Sequence, residues 1–403
     1  MTDKPRGLKA IPRSIWALGL VSLLMDASSE LVHSLLPAFL TVTLGASVFS
    51  VGLIEGLAEA TASITKIFSG TLSDFLGKRK FLTVIGYGLA AVSKPLFPLA
   101  SSVGMVFTAR FIDRVGKGIR GAPRDALIGD LAPPHLRGAS FGLRQTLDTV
   151  GAFLGPLLAL LFMALFAGNI RAVFWIALIP AALCVLVLIF GVQEPEASAP
   201  AKAARLPIRW AELHNLGRPF WILIFITQVL MLARMSEAFF LLKAQHTGLR
   251  LAYIPLVLVV YNVVYAASAY PAGALSDRLS RKHVLAFGIS LFVLADLALA
   301  LATSLWGVTL GVVLWGLHMG IANSLLSAMV ADQAPARLRG TAFGILNLAM
   351  GLGLLAASAG AGYLWDRFGP EVTFLASAAV TALALFCLPL LPSVKEPQSH
   401  AQH

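Results

Sequence analysis

The chain has 403 residues, 58% of them hydrophobic and only 13% charged, with a mean hydropathy of +0.81. Soluble domains carry about 25% charged residues, so the composition excludes a soluble protein and predicts an all-α polytopic membrane protein. The net charge of +11 is no nucleic-acid footprint, because most loop cations fall in alternate loops, as the positive-inside rule requires.

At about 20 apolar residues per span, the length accommodates about twelve transmembrane helices with short loops. Residues 1–13 carry Lys4, Arg6, Lys9 and Arg13 and run into an apolar segment without a small-residue cleavage site. That pattern reads as a cytoplasmic N-terminal tail, not a removable signal peptide. The first helix is expected over 14–40, with Asp26, Glu30 and His33 on one face. The second is expected over 48–72, with Glu55, Glu59 and Lys66 on one face, and a basic loop follows it at Gly77 to Lys80. Helices over 81–100, 105–127, from 137 onward (with Arg144 and Asp148) and over 173–190 complete an N-terminal bundle at 14–190. Residues 191–218, rich in Ala, Pro and charge, form a cytoplasmic linker. A C-terminal bundle at 219–391 then holds helices over 220–242, 252–275, 284–302, 305–330, 341–364 and 372–391, before a tail at 392–403. Lys78, Arg79, Lys80, Arg137, Arg278, Arg281, Lys282, Arg337 and Arg339 fall on one side, and Arg171, Arg250 and Arg367 on the other. This places both termini in the cytoplasm and the protein in the cell inner (plasma) membrane. Cys184 and Cys387 lie in apolar runs and read as small core residues, not as a disulfide or a metal pair.

One stretch breaks the apolar pattern. Between positions 110 and 125 the fourth helix carries Arg110, Asp113, Arg114, Lys117, Arg120, Arg124 and Asp125. At about 100° per residue all of them fall within an arc of roughly 140°. A charge near the bilayer centre costs about 3 kcal/mol on insertion scales, so such a stripe faces a bundle interior or a watery cavity. It is either a cavity wall that attracts an anionic group or relays charge, or a set of internal salt bridges. For Arg124 and Asp125, near the helix end, salt bridges are the expectation. In the other half, Arg234 and Glu237 on the seventh helix and Tyr261, Asn262 and Tyr265 on the eighth are cavity candidates. His33 alone is a weak candidate, expected as a hydrogen-bonded neighbour and not as a switch, and Asp296 and His318 are weak for the same reason. Met231 and Met235 have the spacing of soft metal ligands, but no His or Cys joins them, so no metal and no cofactor is expected.

The two halves repeat. Gly70-Thr-Leu-Ser-Asp74 matches Gly273-Ala-Leu-Ser-Asp277, and the segment from Ala132 to Gly142 matches the one from Ala334 to Gly344 at nearly the same offset. With these motifs the chain resembles the major facilitator superfamily over almost its whole length. The loop motif appears as Gly70, Asp74, Gly77, Arg79 and Lys80, and again as Gly273, Asp277, Arg281 and Lys282, with Ser280 where the family often has Gly. The resemblance implies two pseudo-symmetric six-helix bundles. It also implies that these residues latch the cytoplasmic side, Asp74 against the helix start near Gly340 and Asp277 against that near Gly138. Arg110 matches the family's fourth-helix Arg, while Asp113 and Arg114 replace its usual Gln and Gly. Gly142, Gly151, Gly155 and Pro156 match the fifth-helix motif of antiporters, although its final glycine pair is Ala159 and Leu160. Small residues there permit close helix approach.

Charge is concentrated in the first half: in the repeat register Lys117 and Arg120 oppose Met319 and Ala322, and Glu55 and Glu59 oppose Leu258 and Asn262. Desolvation favours the neutral form of a buried carboxyl and a nearby cation favours the anion, so such a group can load and release protons. Glu30, Glu59 and Asp26, then Glu55, are the coupling candidates. The expectation is a monomeric secondary transporter working by alternating access, with protons as coupling ion, exporting a small anionic or zwitterionic organic compound. Uptake of an anion or a metal complex is the alternative within transport. A non-transporting receptor or lipid-binding scaffold is the alternative outside it. No phosphate-binding loop or zinc spacing points to an enzyme.

Overall fold

The computed structural model describes residues 10–193, 213, 216–276, 279–335 and 338–391, all in helices and short connections. In the first half α1 is Arg13–His33, continued by Leu36–Ala38 and a π-turn at Phe39–Thr43. Then come α2 (Val48–Leu76), α3 (Arg79–Ser93, continued by Leu96–Leu99), α4 (Val103–Leu131), α5 (Arg137–Leu165) and α6 (Ile170–Ile176 with Leu178–Gly191). The second half has α7 (Arg218–Ala233 with Ala238–His246), α8 (Pro255–Ser276), α9 (Arg281–Leu301) and α10 (Leu305–Gln333). The last helical stretch, Arg339–Cys387, divides at Gly369, whose φ of 85° no helix allows, into α11 (339–368) and α12 (370–387).

Length and hydropathy alone mark 10 spans among the described residues. The difference from twelve has two causes. α4 carries too much charge to qualify, and α11 and α12 run together through their turn.

Local chemistry sets the helix ends. Ser47 accepts from Ser50 N–H at the start of α2, and Gly77, at φ 63°, closes its end. Ser102 and Ser304, equivalent by the repeat, start α4 and α10 with the same cap, each accepting from the N–H three residues on.

Besides the single-residue interruption of α6 at Ala177, three expected helices are interrupted. α1 ends at His33, seven residues short of the expected 40. α3 breaks at Lys94-Pro95, where the ring removes a donor. α7 breaks over 234–237, with neither Gly nor Pro in Arg-Met-Ser-Glu to announce it. There the backbone is held by side chains: Ser358 Oγ accepts from Ser236 N–H at 3.1 Å and Ser236 Oγ from Ala238 N–H at 3.3 Å.

Within the first half α1 packs on α5, and α4 on α2 and α3; across the halves α2 packs on α11 and α5 on α8. The α2–α11 seam is tight because a side chain on Gly52 would collide with the Ser358 carbonyl, and one on Gly362 would come within 2.7 Å of Phe49 Cα. At the end away from the basic loops the seam is pinned. Asp366 of α11 accepts from Val48 N–H (3.0 Å) and Phe49 N–H (2.8 Å), two of the donors that every helix start leaves unpaired.

On α5, Gly151 and Gly155 press on α1. A Cβ at Gly155 would lie 2.6 Å from Glu30 Cβ, and one at Gly151 would collide with the Leu23 carbonyl. Pro156 is buried in the same helix. Gly142 differs from expectation: among the described residues nothing lies within 4 Å of where its Cβ would be. Gly151→Val should lower the thermal midpoint and folded yield of the detergent-purified protein, because overpacking costs about 1–3 kcal/mol. Gly142→Val should leave both near wild type.

Candidate functional site

The α4 stripe meets its partners in layers. Deepest is a network with every side chain almost fully buried apart from Glu59. Arg110 Nη2 donates to Glu55 Oε2 at 2.7 Å, and Lys94 Nζ donates to Asp113 Oδ1 and Ser29 Oγ, both at 2.9 Å. Arg114 Nη1 reaches Glu59 Oε1 at 2.7 Å, and Asp113 lies 3.6 Å from Arg114 Nε and 4.0 Å from Arg110 Nη1. Lys94, Arg110 and Arg114 face Glu55, Glu59 and Asp113, so charge balances. The break in α3 is what turns Lys94 inward, and His33, at the broken end of α1, stands between Glu30 (3.2 Å) and Glu55 (3.4 Å).

The end of α4 nearer the basic loops holds a second cluster. Arg124 contacts Asp125 (3.1 Å), Ser22 (3.2 Å), the Tyr87 hydroxyl (3.4 Å) and Asp148 (3.8 Å). Arg144 contacts Asp148 at 3.4 Å and Asp125 at 4.0 Å. The Arg120 guanidinium lies over the Tyr87 ring, 4.6 Å from its centre. Asp26 faces Asp148 from α1. These residues tie α1, α3, α4 and α5 together and do not line the central cavity.

That cavity, about 230 Å³, lies between the halves. From the first half Glu30, His33, Glu59, Arg114 and Lys117 line it, and from the second Arg234, Glu237, Tyr261, Asn262 and Tyr265. Lys117 is exposed to it and, among the described residues, makes no salt bridge. Arg234 Nη1 donates to Asn323 Oδ1 at 3.3 Å, and the Tyr261 hydroxyl donates to Glu237 at 3.4 Å. Tyr261 and Tyr265 stack with rings 7° from parallel. Asn262 donates to the Ala152 carbonyl of the other half at 3.2 Å. The arrangement offers a guest two cations, Lys117 and Arg234, two acids, Glu30 and Glu237, and an aromatic face. A larger depression of about 330 Å³, lined by Leu256, Leu305, Trp306 and other mostly apolar residues with Thr309, has no charged group to orient a solute.

Of the sequence candidates, the cavity gathers nine: Glu30, Glu59, Arg114, Lys117, Arg234, Glu237, Tyr261, Asn262 and Tyr265. Glu55, Arg110 and Asp113 sit behind its wall, and Asp26, Arg120, Arg144 and Asp148 lie away from it. His33 stands as a hydrogen-bonded neighbour of Glu30, as expected. Among the loop-motif residues, Arg79 pairs with Asp130 (3.1 Å) and Lys80 donates to the Ile189 carbonyl (2.9 Å). Arg281 pairs with Asp332, and Lys282 donates to the Pro389 (3.2 Å) and Leu391 (3.0 Å) carbonyls. Each of these contacts stays within its own half. Gly70 faces Ala122 of α4, Asp74 lies on the last turns of α2, Gly273 lies on α8, and Asp277 falls outside the described residues.

The family model described as Major Facilitator Superfamily matches residues 18–253 and 225–403. The chain belongs to this superfamily. An uncharacterised MFS-type transporter of Methanocaldococcus jannaschii is 33% identical over 387 residues, covering 93% of this chain and 94% of its own. A multidrug resistance protein, MdtH, of Edwardsiella ictaluri is 26% identical, covering 80% and 79%. Among solved structures, a point mutant of the nucleoside transporter NupG superposes with a TM-score of 0.80 at 14% identity over 94% of this chain and 99% of that one, a likeness of fold. Superfamily membership accounts for the two halves and for a cavity where they meet.

The buried network yields a stability prediction. Arg110→Gln alone should lower unfolding free energy by about 3–5 kcal/mol, because it removes the 2.7 Å partner of buried Glu55 and leaves the network one cation short. Arg110→Gln with Glu55→Gln should recover most of that loss in thermal melts of the purified protein.

Proposed function

We propose that this superfamily member is a proton-coupled secondary transporter that exports a small organic anion or zwitterion from the cell. The observation that carries the proposal is the cavity: walled by both halves, charged with both signs, and holding Lys117 without an ion-pair partner among the described residues. A guest carboxylate or phosphate would pair with Lys117 and Arg234, and a guest ammonium with Glu237 or Glu30. Bidentate and charge-assisted contacts of this kind set orientation as well as affinity.

Alternating access follows from the seams. With the basic loops in the cytoplasm, the α2–α11 seam and the Asp366 pin close the outer end. That pin is the Asp366 carboxylate on the Val48 and Phe49 N–H groups. The fifth-helix antiporter motif and the name of the MdtH relative support export. Protons would act through the carboxyls that border the cavity without full neutralisation, Glu30 first. His33 beside it shares the load, and Asp26 with Asp148 forms a second acidic pair.

The test is a thermal-shift screen of small organic anions and zwitterions on purified protein, followed by flux of each hit in proteoliposomes with and without a pH gradient. Lys117→Ala should keep its fold and lose about ten- to a hundredfold in affinity, since a hydrogen bond to a charged group contributes about 1.5–3 kcal/mol. Flux that ignores the pH gradient would reject the coupling, and unaltered affinity in Lys117→Ala would reject the cavity assignment.

A further inference from the structure

Asp296 is fully buried in the C-terminal half of α9, outside the cavity. The repeat offset that carries Gly70 to Gly273 carries Lys94 to Leu297, the residue beside it. The same level of the third helix of each half therefore bears a charged-type residue. In the first half that residue has an opposite charge 2.9 Å away; Asp296 has none among the described residues.

Its surroundings are hydroxyls and helix. Ser377 of α12 places Oγ 2.5 Å from Asp296 Oδ2, and Thr381 stands one turn further along the same face. Oδ1 has no hydrogen-bond partner among the described residues. Among the described residues, no charge reaches it from the other elements packed on α9. His318 of α10 is engaged with the Gly288 carbonyl and the Phe292 ring, at least a turn away. Arg234, next to the end of the first piece of α7, turns to Asn323, and Tyr261 and Tyr265 of α8 face the cavity. An ionised carboxylate so placed would leave its charge without a counter-ion, at a cost of several kcal/mol.

The protons can be counted. Ser377 Oγ lies 2.9 Å from the Ala233 carbonyl as well as 2.5 Å from Asp296. A serine hydroxyl has one proton to donate, and a carbonyl only accepts. Ala233 is the last residue before the break in α7, where helix carbonyls lose their intrahelical donors. An ionised Asp296 would have to share the one Ser377 proton with the Ala233 carbonyl, whereas a neutral Asp296 gives each contact its own proton: Asp296 Oδ2–H donates to Ser377 Oγ, and Ser377 O–H donates to Ala233 O.

We propose that Asp296 is a proton-binding site in the second half of the molecule, held as the neutral acid and linked through Ser377 to the broken end of α7. The break carries Arg234 and Glu237 into the cavity, so the proton sits one relay away from two cavity groups without touching a substrate. The site rests on these contacts and not on the proton-coupled export proposed above.

The experiment is infrared spectroscopy of the full-length protein reconstituted in lipid at neutral pH, reading the C=O stretch of protonated carboxyl groups. Wild type should show a carboxylic acid band that Asp296→Asn lacks. Asp296→Asn should keep its fold, because the amide donates to Ser377 as the acid does. Ser377→Ala keeps Asp296 and should shift the band as the acid loses its acceptor; this holds the test open should the Asn variant fail to fold. An acid region unchanged in Asp296→Asn, or a band unmoved in Ser377→Ala, would overturn the proposal. So would a thermal midpoint that rises with sodium in wild type but not in Asp296→Asn, since the site would then hold a metal cation. None of these readouts depends on flux, so a failed export assay leaves them intact.

Discussion

The structure turns on neutralising charge where there is no water. Arg110, Arg114 and Lys94 stand in the span of a membrane protein, and each has a carboxylate within 3 Å. Without those acids the α4 stripe would be too costly to insert. With them, α1 to α4 are held by pairs whose removal one partner at a time is far more damaging than their joint loss. This explains why polar side chains crowd one half of a pseudo-symmetric molecule. The second half, free of that load, is packed by aromatic and aliphatic residues such as Phe240, Phe292 and Trp315 and lends only a few polar groups to the cavity.

Much of this was legible in the chain, for physical reasons. Apolar runs of span length and alternating loop cations report the bilayer directly. The duplication around Asp74 and Asp277 reports the two halves. The 3.6-residue period puts the α4 charges on one face, whatever they pair with. What the period does not tell is depth. Arg110 and Lys117 lie on the same stripe, yet one is locked behind the wall and the other opens on the cavity. That difference depends on which helix stands opposite, a matter of tertiary packing. The break in α7 was illegible for a related reason. Residues 234–237 carry no helix-breaking residue, and the break is held by Ser358 from a helix more than 100 residues away. Gly142 shows the converse, a small residue in a helix-packing pattern with nothing packed upon it among the described residues.

Asp296 and Asp366 were the hardest to anticipate, because each is explained by a partner that is not a charge. One meets hydroxyls and the other meets backbone N–H groups. A lone Asp in an apolar run and a lone Asp in a short loop look alike on the page.

The Asp366 pin has a consequence for how the molecule moves. The carboxylate is exposed, so when it leaves Val48 and Phe49 both it and the freed N–H groups are taken up by water at once. Exchange of protein for water contacts changes free energy far less than stranding the same groups in the bilayer interior would. The seam below it behaves otherwise: Gly52 and Gly362 let backbones touch, and their separation exposes tightly fitted surface. The two parts of the closure therefore divide the labour of a zip fastener. The wet tab at the rim chooses the register in which the halves meet, and the dry teeth beneath decide how long they stay together.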